Sequence, residues 1–239
     1  MSVLGDDCFR IVVRTAGQMP RAVALDRGVP VSVGRGGDLI VGVDPHDPGV
    51  SRMALQVTAT AEGWNVAFTN RNGAELHEWA QAPEWITYEE QRFIRWPRVG
   101  IRIVGDVRDL EHWVLLETDA LRLPGEAAHT DEVFETQVSA RPRELTPSQL
   151  LAVYAIFAEH LAWPPRISPV SRSLEAAAHR IGVTPSAIRE RLLPLQERAR
   201  ELGFPQTVGV TEPDYVYHLA AHGYLTEVPP PVTIEAART

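Results

Sequence analysis

The sequence contains no lysine: all 23 of its basic residues are arginine, set against 31 acidic ones. A Walker-type phosphate loop and a protein kinase both place a lysine on the nucleotide phosphates, so neither can be built from this chain. Cysteine is nearly absent too. Cys8 alone cannot close an internal disulfide, which argues against a secreted, bridged scaffold, and no paired histidine motif makes it a thiol nucleophile. No apolar run approaches the ~20 residues of a membrane-spanning helix, and residues 1–7 lack a basic stretch leading into a hydrophobic one. A cytoplasmic location without membrane contact is expected. With a formal charge of −8, the chain as a whole advertises no attraction to nucleic acid. No Gly-x-Ser-x-Gly elbow occurs, and Gly34-x-Gly36 fails as a dinucleotide loop because Leu39 stands where the third glycine belongs. The expectation is a protein that is not an enzyme and carries no cofactor.

What is present changes character along the chain. Short apolar or alternating runs at 9–14, 21–25, 29–33, 39–41, 54–59, 64–69, 74–77, 85–88, 91–94, 99–103 and 113–116 are separated by Gly, Pro, Asn and Asp, the pattern of a β-sandwich or barrel. Trp64, Trp79, Trp85, Trp96 and Trp113 fall at strand or strand-edge positions and are expected in the core. Residues 1–122 therefore form one expected unit. Residues 123–144 lose all periodicity and turn acidic, as a linker does. From 145 to 228 the period becomes helical: Leu150, Val153, Tyr154, Phe157 and Leu161 share one helix face, opened by Thr146-Pro147. Further helices are expected at 174–181, from Pro185 onward and at 213–222, with a short strand or wing at 224–228. Residues 229–239 begin with three prolines and read as a flexible tail.

Three separated pieces of the strand-rich half carry polar chemistry. Val33-Gly34-Arg35-Gly36-Gly37-Asp38 runs a strand into a glycine-rich turn. Val50-Ser51-Arg52-Met53-Ala54 follows, and Trp64 then leads a strand that ends in Asn70-Arg71-Asn72-Gly73. Their order and spacing resemble the forkhead-associated (FHA) family, whose pattern is Gly-Arg, then Ser-Arg-x-His, then Trp followed by Ser-x-Asn-Gly. The resemblance implies an all-β FHA sandwich over residues 1–122 that binds phosphothreonine peptides. A phosphothreonine presents up to two negative charges and three acceptor oxygens, so its site needs a fixed guanidinium and neutral donors on loops held by a rigid sheet. Arg35 would supply the guanidinium, Arg52 further charge and Ser51 a hydroxyl donor. Asn70 stands at the family's Ser/Thr position, where its amide would replace that donor, and Asn72 would hold the peptide backbone. The chain departs from the pattern at Ala54, where the family has histidine, and it is one residue shorter between Trp64 and Asn72. A sandwich that has lost phosphate affinity and only scaffolds is the competing reading.

In the helical half, Ala178, Gly182, Val183 and Ile188 have the spacing of a helix-turn-helix. The alanine permits close helix approach, the glycine makes the turn, and the two apolar residues fill the angle. Thr184 caps and Pro185 opens the second helix, which Pro194 should kink or stop near Leu193. Ser186, Arg189 and Arg191 would then face outward toward DNA, in a helix-turn-helix or winged-helix domain. Glu190, Glu197 and Glu201 nearly cancel the neighbouring arginines, so a helical module that binds protein stays open. Homodimerisation would strengthen DNA contact by doubling it. Thr130 and Thr136 sit in an acidic context and are candidate phosphosites, for capture by the chain's own FHA site or a neighbour's. His218 and His222 stand at i, i+4 but lack the adjacent glutamate of a zinc protease and a third ligand, so no metal site is expected. The combined expectation is a bacterial-type signalling protein downstream of a Ser/Thr kinase, coupling phosphothreonine-peptide recognition to transcription regulation. The alternative is an adaptor without DNA contact.

Overall fold

The computed structural model describes residues 8–121, 144–205 and 207–225, and the chain divides into two compact units. Residues 123–143 of the linker expected at 123–144, its candidate phosphosites Thr130 and Thr136, and the tail at 229–239 lie outside the described residues.

The first unit is a β-sandwich of eleven strands: β1 Phe9–Thr15, β2 Arg21–Leu25, β3 Pro30–Gly34, β4 Leu39–Ile40, β5 Leu55–Ala59, β6 Trp64–Phe68, β7 Ala74–Glu78, β8 Glu84–Ile86, β9 Glu90–Ile94, β10 Arg98–Ile103 and β11 His112–Thr118. One sheet runs β2-β1-β11-β10-β7-β8 and the other β4-β3-β5-β6-β9. All pairs are antiparallel except β3 with β4, where Val33 faces Leu39 across the tight Arg35–Asp38 turn. Strand periodicity puts alternate residues inside. Phe9, Ile11 and Val13 of β1 join Val99, Ile101 and Ile103 of β10 on one side of the core. Leu55 and Val57 of β5 join Trp64, Val66 and Phe68 of β6 on the other. Phe9 meets Trp64 edge-on across the two sheets at 4.8 Å, and the indole donates to Trp96 O at 3.0 Å. Each such large side chain contributes about 1.5–3 kcal/mol by leaving water. Trp79 and Trp113 are also buried and Trp96 is half-buried, but Trp85 is 53% exposed. On edge strand β8 the core position belongs to Ile86, so its neighbour Trp85 must point to the other face.

Register decides where the loops emerge. Val33 pairs Leu55 and Leu55 pairs Phe68 in one sheet, while Ala74 pairs Ile103 and Ile103 pairs His112 in the other. The β3–β4, β4–β5, β6–β7 and β10–β11 connections therefore leave the same end of the sandwich.

Among the described residues the second unit has four helices: α1 Pro147–Phe157, α2 Leu174–Ile181, α3 Pro185–Glu201 and α4 Asp214–Ala221. Thr146, Ser173 and Thr184 cap the first three, each accepting from an amide three residues on, and Thr146 with Gln149 forms a capping box. Val153, Ile156 and Phe157 of α1, Ala177 and Ala178 of α2, Ile188, Leu192, Leu195 and Ala199 of α3, and Tyr215, Val216 and Leu219 of α4 are buried. Gly182 ends α2 in the left-handed region at φ 71°, making the turn into α3. One expectation is corrected here. Helix α3 does not stop at Leu193 but continues to Glu201 through Pro194, which is exposed, so the Glu190 carbonyl it cannot bond is on the solvent side. Burial of Leu192, Leu195 and Ala199 carries the helix on past the proline. Of the short strand or wing expected at 224–228, Tyr224 and Leu225 are irregular and residues 226–228 lie outside the described residues.

Candidate functional site

The loops at the common end of the sandwich are tied together by hydrogen bonds whose donors and acceptors come from separate sequence pieces. Gly34 lies at φ 154°, and a Cβ there would stand 2.6 Å from Arg52 O and 2.7 Å from Ser51 O. Only glycine lets the first loop approach the second this closely. The backbone N–H of Arg35 then donates to Ser51 O at 3.1 Å and that of Gly36 to Arg52 O at 2.8 Å. Arg35 Nε donates to Val50 O at 2.5 Å, which fixes the plane of the guanidinium and leaves its two terminal nitrogens without a partner among the described residues.

Ser51 is the junction between the second and third loops. Its N–H donates to Asn70 Oδ1 at 2.9 Å, and its hydroxyl oxygen accepts from Arg71 N–H at 3.1 Å, keeping the hydroxyl hydrogen available. Arg52 is exposed beside it. The structure thus brings Arg35, Ser51 and Arg52 together with the third loop.

Asn70 has a different place from the one the resemblance implied. It is 1% exposed, and its amide nitrogen donates to Gly73 O at 2.9 Å and Val104 O at 2.8 Å. With Oδ1 on Ser51, every hydrogen-bonding atom of the side chain is engaged, so Asn70 braces the loops and has no donor to offer a ligand. Asn72 is half-exposed; its amide nitrogen donates to Asp106 Oδ1 at 2.7 Å, and its carbonyl oxygen accepts nothing among the described residues.

Two features were missed in the sequence. Arg71, between the two asparagines, is exposed and carries a third guanidinium to the same group of loops. Arg10, Arg92, Arg98 and Arg102 on the strands each face a carboxylate, whereas Arg35, Arg52 and Arg71 have no ion pair among the described residues. The second feature is Asp47, fully buried. Its carboxylate accepts from Asp106 N at 2.8 Å, Gly49 N at 3.0 Å, Val107 N at 3.4 Å and His112 Nε2 at 3.2 Å. Thr15 Oγ1 meets the other nitrogen of His112 at 3.2 Å, so both ring nitrogens are engaged. Burial pushes the Asp47 carboxyl up, but the donors from Asp106, Gly49, His112 and Val107 together hold it below the ordinary carboxylate value. This network pins the β4–β5 loop to the β10–β11 loop. Ala54 is fully buried in the apolar core, so the histidine the family places there has no counterpart at that position. A lone Asp and a lone His, 65 positions apart, gave no sequence signal.

In the helical unit Ser186, Arg189 and Glu190 are exposed and Arg191 is half-buried on α3. Arg198 pairs with Glu201 at 3.0 Å. His218 and His222 have ring centres 4.4 Å apart. His222 Nδ1 meets His218 O at 2.8 Å and His218 Nε2 meets Leu202 O at 3.3 Å, so each ring uses a nitrogen on the backbone. Among the described residues no group of three metal-ligating side chains occurs, and no helix is long and apolar enough to cross a membrane.

No protein-family model and no curated protein matches the sequence. Among solved structures, the chain is similar to an engineered FHA domain with a Myc-pTBD peptide, at TM-score 0.38 and 13% identity over 48% of this chain and 93% of that one. It is also similar to the FHA domain of the CT664 protein from Chlamydia trachomatis, at TM-score 0.34 and 16% identity over 46% and 96% of the respective chains. A third is the Rv1747 FHA-1 domain of Mycobacterium tuberculosis, at TM-score 0.32 and 19% identity over 46% of this chain and 97% of that one.

Proposed function

We propose that the sandwich is an FHA-type receptor for phosphothreonine peptides, acting downstream of a Ser/Thr kinase. The observation that carries this is the arrangement around Ser51. An available hydroxyl hydrogen is held between three loops, and these bear the guanidiniums of Arg35, Arg52 and Arg71, none of which has an ion pair among the described residues. A phosphate dianion satisfies that donor set, with each charge-assisted bond worth about 1.5–3 kcal/mol. Arg35 and Ser51 make the direct contacts, Arg52 and Arg71 add charge, and Asn72 orients the peptide backbone. The test is binding of a phosphothreonine peptide library to wild type and Arg35→Ala. Binding that disappears with Arg35→Ala, and with the unphosphorylated peptides, is expected; library binding indifferent to Arg35 sinks the reading.

For the helical unit, the α2–α3 pair with its left-handed Gly182 and the outward Ser186 and Arg189 favours a helix-turn-helix that contacts DNA and couples peptide recognition to transcription. The mixed charge of α3 favours the alternative, a protein-binding adaptor. DNA affinity that falls steeply with rising salt and with Arg189→Ala supports the first; salt-insensitive retention, or none, leaves the adaptor.

A further inference from the structure

The outward face of the β4-β3-β5-β6-β9 sheet belongs neither to the sandwich core nor to the loop end, and register fixes which side chains stand on it. Gln56 pairs Ala67 and Ala67 pairs Gln91 in one cross-strand row, while Thr58 pairs Asn65 and Asn65 pairs Phe93 in the next. Their strand neighbours Val57, Val66 and Ile94 fill the core, so these six point the other way. The six line a depression of about 490 Å³, a volume within the range of ligand sites. Ala67, the smallest of them, stands between the two glutamines, whose strands lie roughly 10 Å apart across it. No side-chain atom of Gln56, Thr58, Asn65 or Gln91 has a hydrogen-bond partner among the described residues. None of the six is charged, although charged residues make up 23% of the chain. Arg92 also borders the depression, but Glu84 and Glu90 hold its guanidinium at 2.7 and 2.5 Å. Arg95 lies over the Phe93 ring, 5.4 Å from its centre, with Glu62 at 3.8 Å.

We infer that this face is a binding site for a neutral carbohydrate, with one sugar ring seated over Ala67 between Gln56 and Gln91. The class of ligand follows from what the face offers. Three primary amides and a hydroxyl supply donors and acceptors without charge, and the adjacent C=O and NH2 of an amide match the neighbouring hydroxyls of a sugar. Phe93 adds an apolar ring against which the C–H groups of the sugar can pack. Other ligand classes fit poorly. An acidic or basic partner meets no free counter-charge, because Arg92 and Arg95 already face carboxylates. A lipid or an apolar peptide would take four polar side chains out of water without replacing their hydrogen bonds. None of the six residues belongs to the loops that carry Arg35, Ser51 and Arg71, so the inference stands apart from the phosphothreonine reading.

The experiment titrates the 239-residue chain with maltohexaose, cellohexaose and N-acetylchitohexaose, and with hexagalacturonate as the anionic control, following side-chain amide signals by NMR. Saturable binding of at least one neutral hexasaccharide is expected, with the Gln56 and Gln91 amides shifting and hexagalacturonate bound more weakly. The double variant Gln56→Ala, Gln91→Ala should weaken that binding about tenfold, as two lost hydrogen bonds would. Ala67→Leu, which fills the space between the glutamines, should abolish it. Both variants should melt at the wild-type temperature and respond to phosphothreonine peptides as wild type does. Absence of shifts with all three neutral sugars, binding unchanged in the double variant, or a preference for hexagalacturonate overturns the inference and leaves the phosphothreonine reading untouched. A wild-type dimer in sedimentation that Ala67→Leu dissolves would mean that the face meets a second copy of the chain, which likewise overturns it.

Discussion

The backbone N–H of Ser51 and the side-chain carbonyl of Asn70, nineteen positions apart, are joined by a 2.9 Å hydrogen bond that locks the second loop of the sandwich to the third. Asn70 makes two further bonds to Gly73 O and Val104 O. If it is a brace, then placing a serine at this position should harm the protein. Asn70→Ser strands one buried donor and two buried acceptors and should cost about 2–4 kcal/mol in urea unfolding, with peptide binding weakened at the same time. Unchanged stability together with tighter phosphopeptide binding would restore Asn70 to the role of phosphate donor.

Gly34→Ala tests the contact between the first two loops. Its new methyl would have to share space with Arg52 O and Ser51 O in a backbone conformation L-residues avoid. Circular dichroism should still report a sandwich, with stability lowered by about 2 kcal/mol or more, and Arg35-dependent peptide binding should be lost. Retained wild-type affinity would show that the loop can reset without Gly34.

Acid titration reports on Asp47. Its folded-state pKa lies below the unfolded value of about 3.9, so the unfolded chain takes up the proton first as pH falls. The stabilisation it contributes is complete above about pH 4 and is lost as pH drops through the lower folded value. Asp47→Asn should cost roughly 2–4 kcal/mol at pH 7, because amide hydrogens now face N–H donors, and should flatten the acid limb of stability against pH. Parallel acid limbs for variant and wild type would assign the acid sensitivity elsewhere.

Pro194 interrupts the hydrogen bonding of α3 at an exposed position. Pro194→Ala restores a donor for the Glu190 carbonyl and should stabilise the helical unit by about 1–3 kcal/mol in thermal unfolding. Destabilisation would mean that a bend at Pro194 is required for packing of Leu192 and Leu195 against the other helices.

Much of the fold was legible because it rests on local rules. Every one of the eleven strands lies within two residues of the position expected from alternation and turn residues, and three helix starts were marked by Thr146-Pro147, Leu174 and Thr184-Pro185. Trp85 was misplaced because a tryptophan in a strand reads as core whether its strand is central or at an edge. Pro194 was expected to kink or stop α3, and the stop does not occur because local propensity gives no weight to four buried residues of that helix.

At the candidate site the division is sharper. Sequence order alone located the three pieces carrying Arg35, Ser51, Arg52, Asn70 and Asn72, since glycine turns and an Asn-Gly pair are local signals. The absence of lysine likewise excludes a Walker-type phosphate loop and a protein-kinase lysine from composition alone. Only the tertiary structure decided which of these side chains are available. Asn70 is consumed by Ser51, Gly73 and Val104; Asp47 and His112 meet across the sandwich to brace the loops; and Arg71 comes to stand beside the Ser51 hydroxyl. The physical reason is that composition and spacing report which groups a chain possesses, whereas burial and strand register determine whether a polar atom is spent on its neighbours or left to a ligand.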